Sequence, residues 1–594
     1  MLPAGAPPMK NICIHIHHFD YHPLTSHRVQ RHVNKFRVNL FKLFLPFILS
    51  VLTGSVLHIP ANGENRPAMP DTAAADATEF ENMTSVTRPA EVSATPRPYV
   101  AKAGLSHTFG TPETPFWLHA NRDGLVPLHS RNNLLAFGEY HRSFLQDRNW
   151  VDVDAGLRID ARYSDGGNRL GFGELYANVG IRGWQLSAGR FHETIGLAPE
   201  YLSTGSMLMS RNAIQPFKIR LSTPGFLPVP LTGGALSFKA RWSEGLLTDD
   251  RWVDGARVHQ KYLYLKVSPV RNLDLIGGIV HNLMWGGRSP ELGRLHGTFI
   301  DWLRDVAGQP DQSLFVNETP AGNGLGGYDF GVEYGIRTWS AGFYRLFFIE
   351  DGQSVDLPNP WDGTWNAYLE LHDPNRPNRL VSYVTYEHVN TKKQDAGRYD
   401  ALGRGRYYSH YVYRDGWVHH AQTLGTPLIL IDPDLMGVRD RTLVNNIILA
   451  HHLGISGNPS GYFSYQMMAT YSRNYGVCHD QNSGRGCNGS AERPIQQRST
   501  YVPFRDLRRD RYSFLLRISM PVATLRELLG AAPAPSARSA EGPVRHGSSR
   551  QGSARMPVTD HAGGMRLHVA ASLDAGAFHE TPLSGFEVGV TYTF

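Results

Sequence analysis

At 594 residues the chain could hold several soluble domains, but 11% aromatic residues, 60 Gly and a mildly negative mean hydropathy sit beside strands with one apolar face, which suits a membrane β-barrel. The formal charge of +6 is concentrated at the start: Lys10, Arg28, Arg31, Lys35, Arg37 and Lys42 face only Asp20 within residues 1–63, giving +5 there and about +1 elsewhere. The high pI is therefore a property of the leader, and nucleic acid is excluded as a partner it would imply.

In chain order, the apolar run Leu43 to Leu57 follows those basic residues and precedes Ala61-Asn62-Gly63. A basic region, a short apolar core and a small-residue exit describe a secretory signal peptide, so residues 1–63 are expected to be a leader with a long N-terminal extension. Seven His lie between His15 and His58, and a start codon assigned too early accounts for them better than metal binding. Residues 64–98, rich in Ala, Thr, Pro and Glu with no sustained period, predict a disordered periplasmic linker. Order is expected from Tyr99, with the stretch from Thr114 onward read as an opening strand and turn, and residues 99–594 as one barrel.

The clearest element begins at Gly171. Leu175, Ala177, Val179 and Ile181 alternate with Glu174, Tyr176, Asn178 and Gly180; Arg182-Gly183 turns the chain; Trp184, Leu186 and Ala188 resume the alternation. A period of two sends successive side chains to opposite faces, which predicts a β-hairpin with one greasy and one wet side. Leu236, Phe238, Ala240 and Trp242 repeat the pattern, as do Leu263, Leu265 and Val267, and then Phe330, Val332, Tyr334 and Ile336. Periodicity alone fits either a soluble sandwich or a barrel with lipid outside. The last strand decides between them: Phe586, Val588, Val590, Tyr592 and Phe594 alternate with Glu587, Gly589, Thr591 and Thr593, and the chain stops on an aromatic residue. An amphipathic terminal strand of this kind looks like an outer-membrane insertion signal.

Two segments break the rhythm. Ser289 to Val306, with Pro290 at a first helical position and Leu292, Leu295, Phe299, Leu303 and Val306 on one face, predicts a short helix plugging the lumen or lying on its rim. Residues 530–564 are rich in Ala, Pro, Ser, Arg and Gly and read as a disordered loop before the final strands. Of three Cys, Cys478 and Cys487 flank a Gly-containing loop, which in an exported protein is most simply a disulfide; a metal site lacks further ligands.

In order along the chain, GRFHETIGL (Gly189–Leu197), STGSMLMSRNA (Ser203–Ala213), FLPVPLTGGALSFKARWSEG (Phe226–Gly245), HQKYLYLKV (His259–Val267), GGIVHNLMWGG (Gly277–Gly287), SHYVYRDGWVHHAQTLGTPL (Ser409–Leu428), NNIILAHHLGISG (Asn445–Gly457) and TYSRNYG (Thr470–Gly476) together resemble the capsule assembly Wzi family of outer-membrane proteins. The resemblance implies an eighteen-stranded antiparallel barrel partly closed by helical material. It also implies a non-enzymatic, lectin-like role in holding or assembling capsular or extracellular polysaccharide, with no cofactor. Outer-membrane lipid and lipopolysaccharide are then the surroundings, and the family supplies no motif that fixes sugar-contacting residues.

Sugar recognition needs aromatic faces for pyranose rings and multidentate polar groups for hydroxyls or uronates, for which the Arg fork is well matched. Residues of that kind cluster at Arg190, His192 and Glu193; at Arg211 and Asn212; at His281 and Trp285; and at Tyr413, Arg414 and Trp417. The competing structural reading is that aromatics form interface belts and polar residues simply fill the lumen. An enzyme has little support: His451-His452 and His419-His420 are adjacent, so on a strand they point opposite ways, and neither G-x-S-x-G nor H-E-x-x-H occurs. A porin-like channel for sugars or small solutes is the alternative, to be separated by whether the lumen is plugged.

Overall fold

The computed structural model describes residues 99–146, 151–295, 322–350, 360–373, 375–394, 407–438, 442–477, 508–528 and 564–594. Residues 1–98, expected to be leader and linker, and Cys478 and Cys487 lie outside them. Eighteen strands make the wall: β1 (Tyr99–Gly110), β2 (Asn132–Gln146), β3 (Val151–Ser164), β4 (Arg169–Ile181), β5 (Trp184–Arg190), β6 (Phe217–Ser222), β7 (Leu236–Leu246), β8 (Arg257–Val270) and β9 (Leu273–Trp285). The second half comprises β10 (Gly322–Gly335), β11 (Trp339–Ile349), β12 (Gly363–Leu371), β13 (Arg379–Asn390), β14 (Ile448–Ser460), β15 (Phe463–Asn474), β16 (Arg509–Pro521), β17 (Gly564–Ala575) and β18 (Leu583–Thr593). Each pairs antiparallel with the next, and β1 closes on β18 with Leu105 opposite Val590 and Thr108 opposite Glu587. Closure pairs every edge, which a sheet in hydrocarbon requires. A two-residue strand, Leu227–Pro228, lies against β7 within the β6–β7 connection.

The alternation falls as a membrane barrel demands. On β18, Phe586 is 48% and Val588 41% exposed on the outside, whereas Glu587 between them is 2% exposed and faces the lumen. Leu175, Leu186, Leu221, Leu265 and Phe330 share the outer face. Aromatic pairs mark both rims of the apolar band: Tyr99 stacks on Tyr140 at 6.2 Å near one end, Tyr471 on Tyr512 at 5.0 Å near the other.

Both chain ends of the barrel, Tyr99 and Phe594, lie at the end served by tight turns. The Arg182-Gly183 turn is one of these: φ is +50° and +84°, the left-handed pair that matches strand twist in a two-residue hairpin. The opposite end carries the long connections, 111–131, 191–216, 286–321, 391–447 and 475–508, which by the usual rule face the cell exterior. One long connection breaks that division. β16 ends and β17 begins at the turn end; Gly564, placed in the low-complexity loop from sequence, is the first residue of β17, Val522–Leu528 forms a short helix ahead of it, and residues 530–563 lie outside the described set.

Two further expectations are corrected. Ser289 does not open a helix: Arg288–Ser289 and Gly293–Arg294 pair as a small hairpin, because backbone N–H and C=O groups here bond across to Asp254 and Gly287; residues 296–306 lie outside the described set. Phe116–His119, read as part of a strand and turn, is one helical turn buried in the lumen, with the Phe116 N–H donating to Asp574 Oδ2 at 2.9 Å.

Candidate functional site: a loop plug and its outer rim

The lumen is occupied by loops from the long-loop end. Met207, Leu208 and Met209 pack with Tyr407, Tyr408, Tyr413, Trp417, Leu424 and Leu428, all essentially inaccessible to solvent. Irregular backbone at membrane depth is tolerated only where its polar groups find partners inside the protein. Here the loops satisfy one another: the Ser210 N–H donates to Leu424 O (2.8 Å), Trp417 Nε1 to Leu208 O (3.0 Å), Tyr408 OH to Met207 O (2.5 Å) and Asn212 Nδ2 to Thr423 O (3.1 Å). The wall supplies the rest. Asp329 on β10 accepts from the Leu197 N–H (2.8 Å), Glu387 on β13 from the Thr204 N–H (2.7 Å), and His452 on β14 meets Leu202 O at 2.6 Å.

Charge anchors the plug on its other side. Glu193 pairs with Lys218 and, at 2.9 Å each, with Arg220 and Arg241 on β6 and β7. Burial alone would raise the Glu193 pKa, but Arg241, Lys218 and Arg220 hold it far below the ordinary carboxylate range. Arg211 clamps Asp123 with both arms of its fork, at 2.8 and 2.5 Å; burial opposes ionisation, yet Arg211 and then His192 bring Asp123 down to about 2.

The sugar-binding candidates therefore divide. Arg190, Glu193, Arg211, Asn212, Tyr413 and Trp417 are engaged by other groups of the protein: Arg190 lies over the Phe217 ring at 4.3 Å and donates to Phe172 O, and Tyr413 donates to Gly286 O at 3.1 Å. Arg190 also sits in the outward register, opposite Leu175. His281 and Trp285 share that outward register, opposite Lys261 and Arg257 on β8, in line with Ile279 and Leu265. They do not face the lumen. Arg414 is the candidate at the outer rim, where it bonds Glu291 at 2.6 Å and stacks over Trp252 at 5.0 Å.

A second stack lies on the neighbouring segment, Arg257 over Trp285 at 4.9 Å, with Trp285 Nε1 donating to Glu244 at 3.3 Å. Backbone bonds stitch the rim together: Asp254 and Arg288 exchange bonds of 3.1 and 2.8 Å, and the Trp252 N–H donates to Asp415 at 2.6 Å. The rim thus offers one partly exposed indole–guanidinium platform, Arg414 on Trp252 with Glu291 beside it, whereas Trp285 is buried beneath Arg257 at 6% exposed. Trp252 and Glu291, which were not among the sequence candidates, are the neighbours of Arg414; the signal available for Trp252 was a Trp in a short Asp/Gly loop between two strong strands. Elsewhere, Ser206 Oγ donates to Ile195 O at 2.5 Å, and His451 and His452 do point to opposite faces, His451 to Tyr386 outside and His452 into the lumen.

A model of the family described as capsule assembly protein Wzi matches residues 129–428, half of the chain. The chain belongs to that family. As a Wzi-family member with a closed wall and a lipid-facing apolar band, it is an outer-membrane protein. Among solved structures it is similar to Wzi of Escherichia coli, described as an outer-membrane protein involved in group 1 capsule assembly and a carbohydrate-binding β-barrel, at 13% identity over 83% of this chain and 84% of that one, TM-score 0.45. OccK5 of Pseudomonas aeruginosa is 8% identical over 84% and 97%, TM-score 0.37, and OprD of the same organism 11% over 84% and 95%, TM-score 0.36. No curated protein matches the chain by sequence.

Proposed function

We propose that this Wzi-family protein is a non-enzymatic anchor that binds capsular or extracellular polysaccharide at its long-loop end and supports capsule assembly or attachment, with outer-membrane lipid and lipopolysaccharide around its wall. The observation that carries this reading is the plug: a lumen filled by the packed loops around Met207–Met209 and Trp417 leaves the outer rim as the working surface. There Arg414 on Trp252 supplies the flat face and forked donors that glycans need. No observation favours the alternative, a sugar or solute channel.

The test is binding of the detergent-solubilised protein to purified acidic and neutral bacterial polysaccharides. Trp252→Ala combined with Arg414→Ala should weaken binding by about tenfold or more, the scale of one lost charge-assisted contact. Both substitutions lie outside the strands, so the barrel should remain inserted. Wild-type affinity in that double variant would remove the rim from the proposal, and failure to bind any polysaccharide would remove the function.

A further inference from the structure

On the outer wall, at the long-loop end of β15 and β16, the apolar band gives way to charge within one step of the pleat. The outward face of β16 carries Leu516, Phe514 and Tyr512, all exposed, and that of β15 carries Met467 and then Tyr471, which stacks on Tyr512. Residues on one face of a strand are spaced by about 6.6 Å. One such step beyond the Tyr471–Tyr512 pair lie Arg473 and Asp510, opposite each other in register, and Arg508 immediately precedes β16. These side chains therefore stand just past the aromatic belt, at the depth of lipid head groups and on the lipid side of the wall.

The charge there is one-sided. The Tyr471 hydroxyl accepts from Arg473 Nε at 2.6 Å and from Arg508 Nη2 at 3.2 Å, so a single oxygen holds two guanidinium groups side by side. Asp510 is taken up by Arg508, at 2.8 and 2.5 Å, and Arg473 has no ion-pair partner among the described residues. Lys392, just past the end of β13, adds a third cation, its ammonium 5.5 Å from the centre of the Tyr475 ring. Burial, then the charges of Arg473 and Lys393, hold the Lys392 pKa below the ordinary lysine value against the pull of Asp362. Cations gathered in this way repel one another, and an anion bound among them offsets that cost.

We propose that this cluster binds a phosphate group of the outer-leaflet glycolipid, lipopolysaccharide, with the Arg473 and Arg508 forks donating to the phosphate oxygens and Lys392 adding charge. Arg matches phosphate geometry with paired donors. A lipid phosphate fits better than a soluble polyanion because the cluster is continuous with the exposed apolar face of Tyr512, Phe514 and Leu516, which only an acylated ligand can use. The site lies outside the barrel and does not depend on the glycan-binding reading; it rests on the outer-membrane location and on the long-loop end facing outward.

Native mass spectrometry of the full chain in detergent tests it, with bisphosphorylated lipid A, the acylated anchor of lipopolysaccharide, titrated in parallel with lipid A stripped of its phosphates. The phosphorylated form should bind at least about tenfold more tightly, and inorganic phosphate at matched concentration should not displace it. Arg473→Gln combined with Arg508→Gln should weaken binding by about tenfold or more, the scale of one lost charge-assisted contact. Arg473→Gln alone, which breaks no ion pair of the described residues, should weaken it severalfold and guards against misfolding of the double variant. Equal binding of stripped lipid A, displacement by inorganic phosphate, or wild-type affinity in both variants overturns the site. Loss of polysaccharide binding in the double variant with lipid A binding unchanged also overturns it, by assigning the cluster to the glycan.

Discussion

His419 illustrates how single side chains lock the plug. It is fully buried, with Nδ1 at 2.6 Å from Ile214 O and Nε2 accepting the Thr248 N–H at 3.1 Å, an arrangement that only the neutral ring can satisfy. Burial, followed by the nearby charge of His420, pushes its pKa well below 6.5 against the pull of the Ile214 carbonyl. The unfolded chain takes up a proton near pH 6.5 that the folded chain refuses, so this contribution is complete above that pH and is lost as pH falls below it. The urea midpoint in detergent should drop between pH 8 and pH 5, and His419→Gln should flatten that slope; an unchanged slope would assign the effect elsewhere. Glu193 makes the complementary case. Replacing it by Gln leaves Lys218, Arg220 and Arg241 buried together without their anion, which should cost about 3–5 kcal/mol by the measured scale for broken buried pairs. Equilibrium unfolding followed by tryptophan fluorescence checks it. At this scale residue type alone marked Arg414 and Arg211 alike as sugar-binding candidates; only the structure shows that the Arg211 fork is taken up by Asp123 while Arg414 lies at the outer rim beside Glu291.

At the scale of elements, the strands were readable and the plug was not. A strand in a barrel wall carries its environment in its own period of two, which is why β4, β5 and β18 have the faces that their sequences predict, although β4 starts at Arg169 and β18 runs from Leu583 to Thr593. The plug segments have no period, since their partners are residues hundreds of positions away, as Trp417 is from Leu208. Helical spacing from Ser289 suggested a plug helix, but the first residues of that span are recruited into a hairpin instead. Gly416 shows how tight the real plug is. Its φ is +71°, and a Cβ there would lie 1.9 Å from Tyr408 O. Gly416→Ala should loosen the 407–447 loop while leaving the wall intact, seen as faster proteolysis of that loop with unchanged heat-modifiable migration of the barrel. Equal protease resistance would count against the packing described.

For the whole molecule, the expected outcome in planar bilayers is silence: with the plug core in place the purified protein should carry no steady current, and deleting residues 410–430 should produce one. A steady open current from the intact protein would favour the channel reading over the anchor. The sequence by itself determined the wall, because every membrane strand must present hydrocarbon outward and polar groups inward, and that requirement is written locally, residue by residue. It also determined the family, through short words spread along the chain, and a terminal strand that closes on β1. Only the tertiary structure decided what fills the barrel and which Arg residues are spent on protein carboxylates. Those are contacts between residues far apart in the chain, set by how loops without period pack inside a closed wall, and no local pattern encodes them.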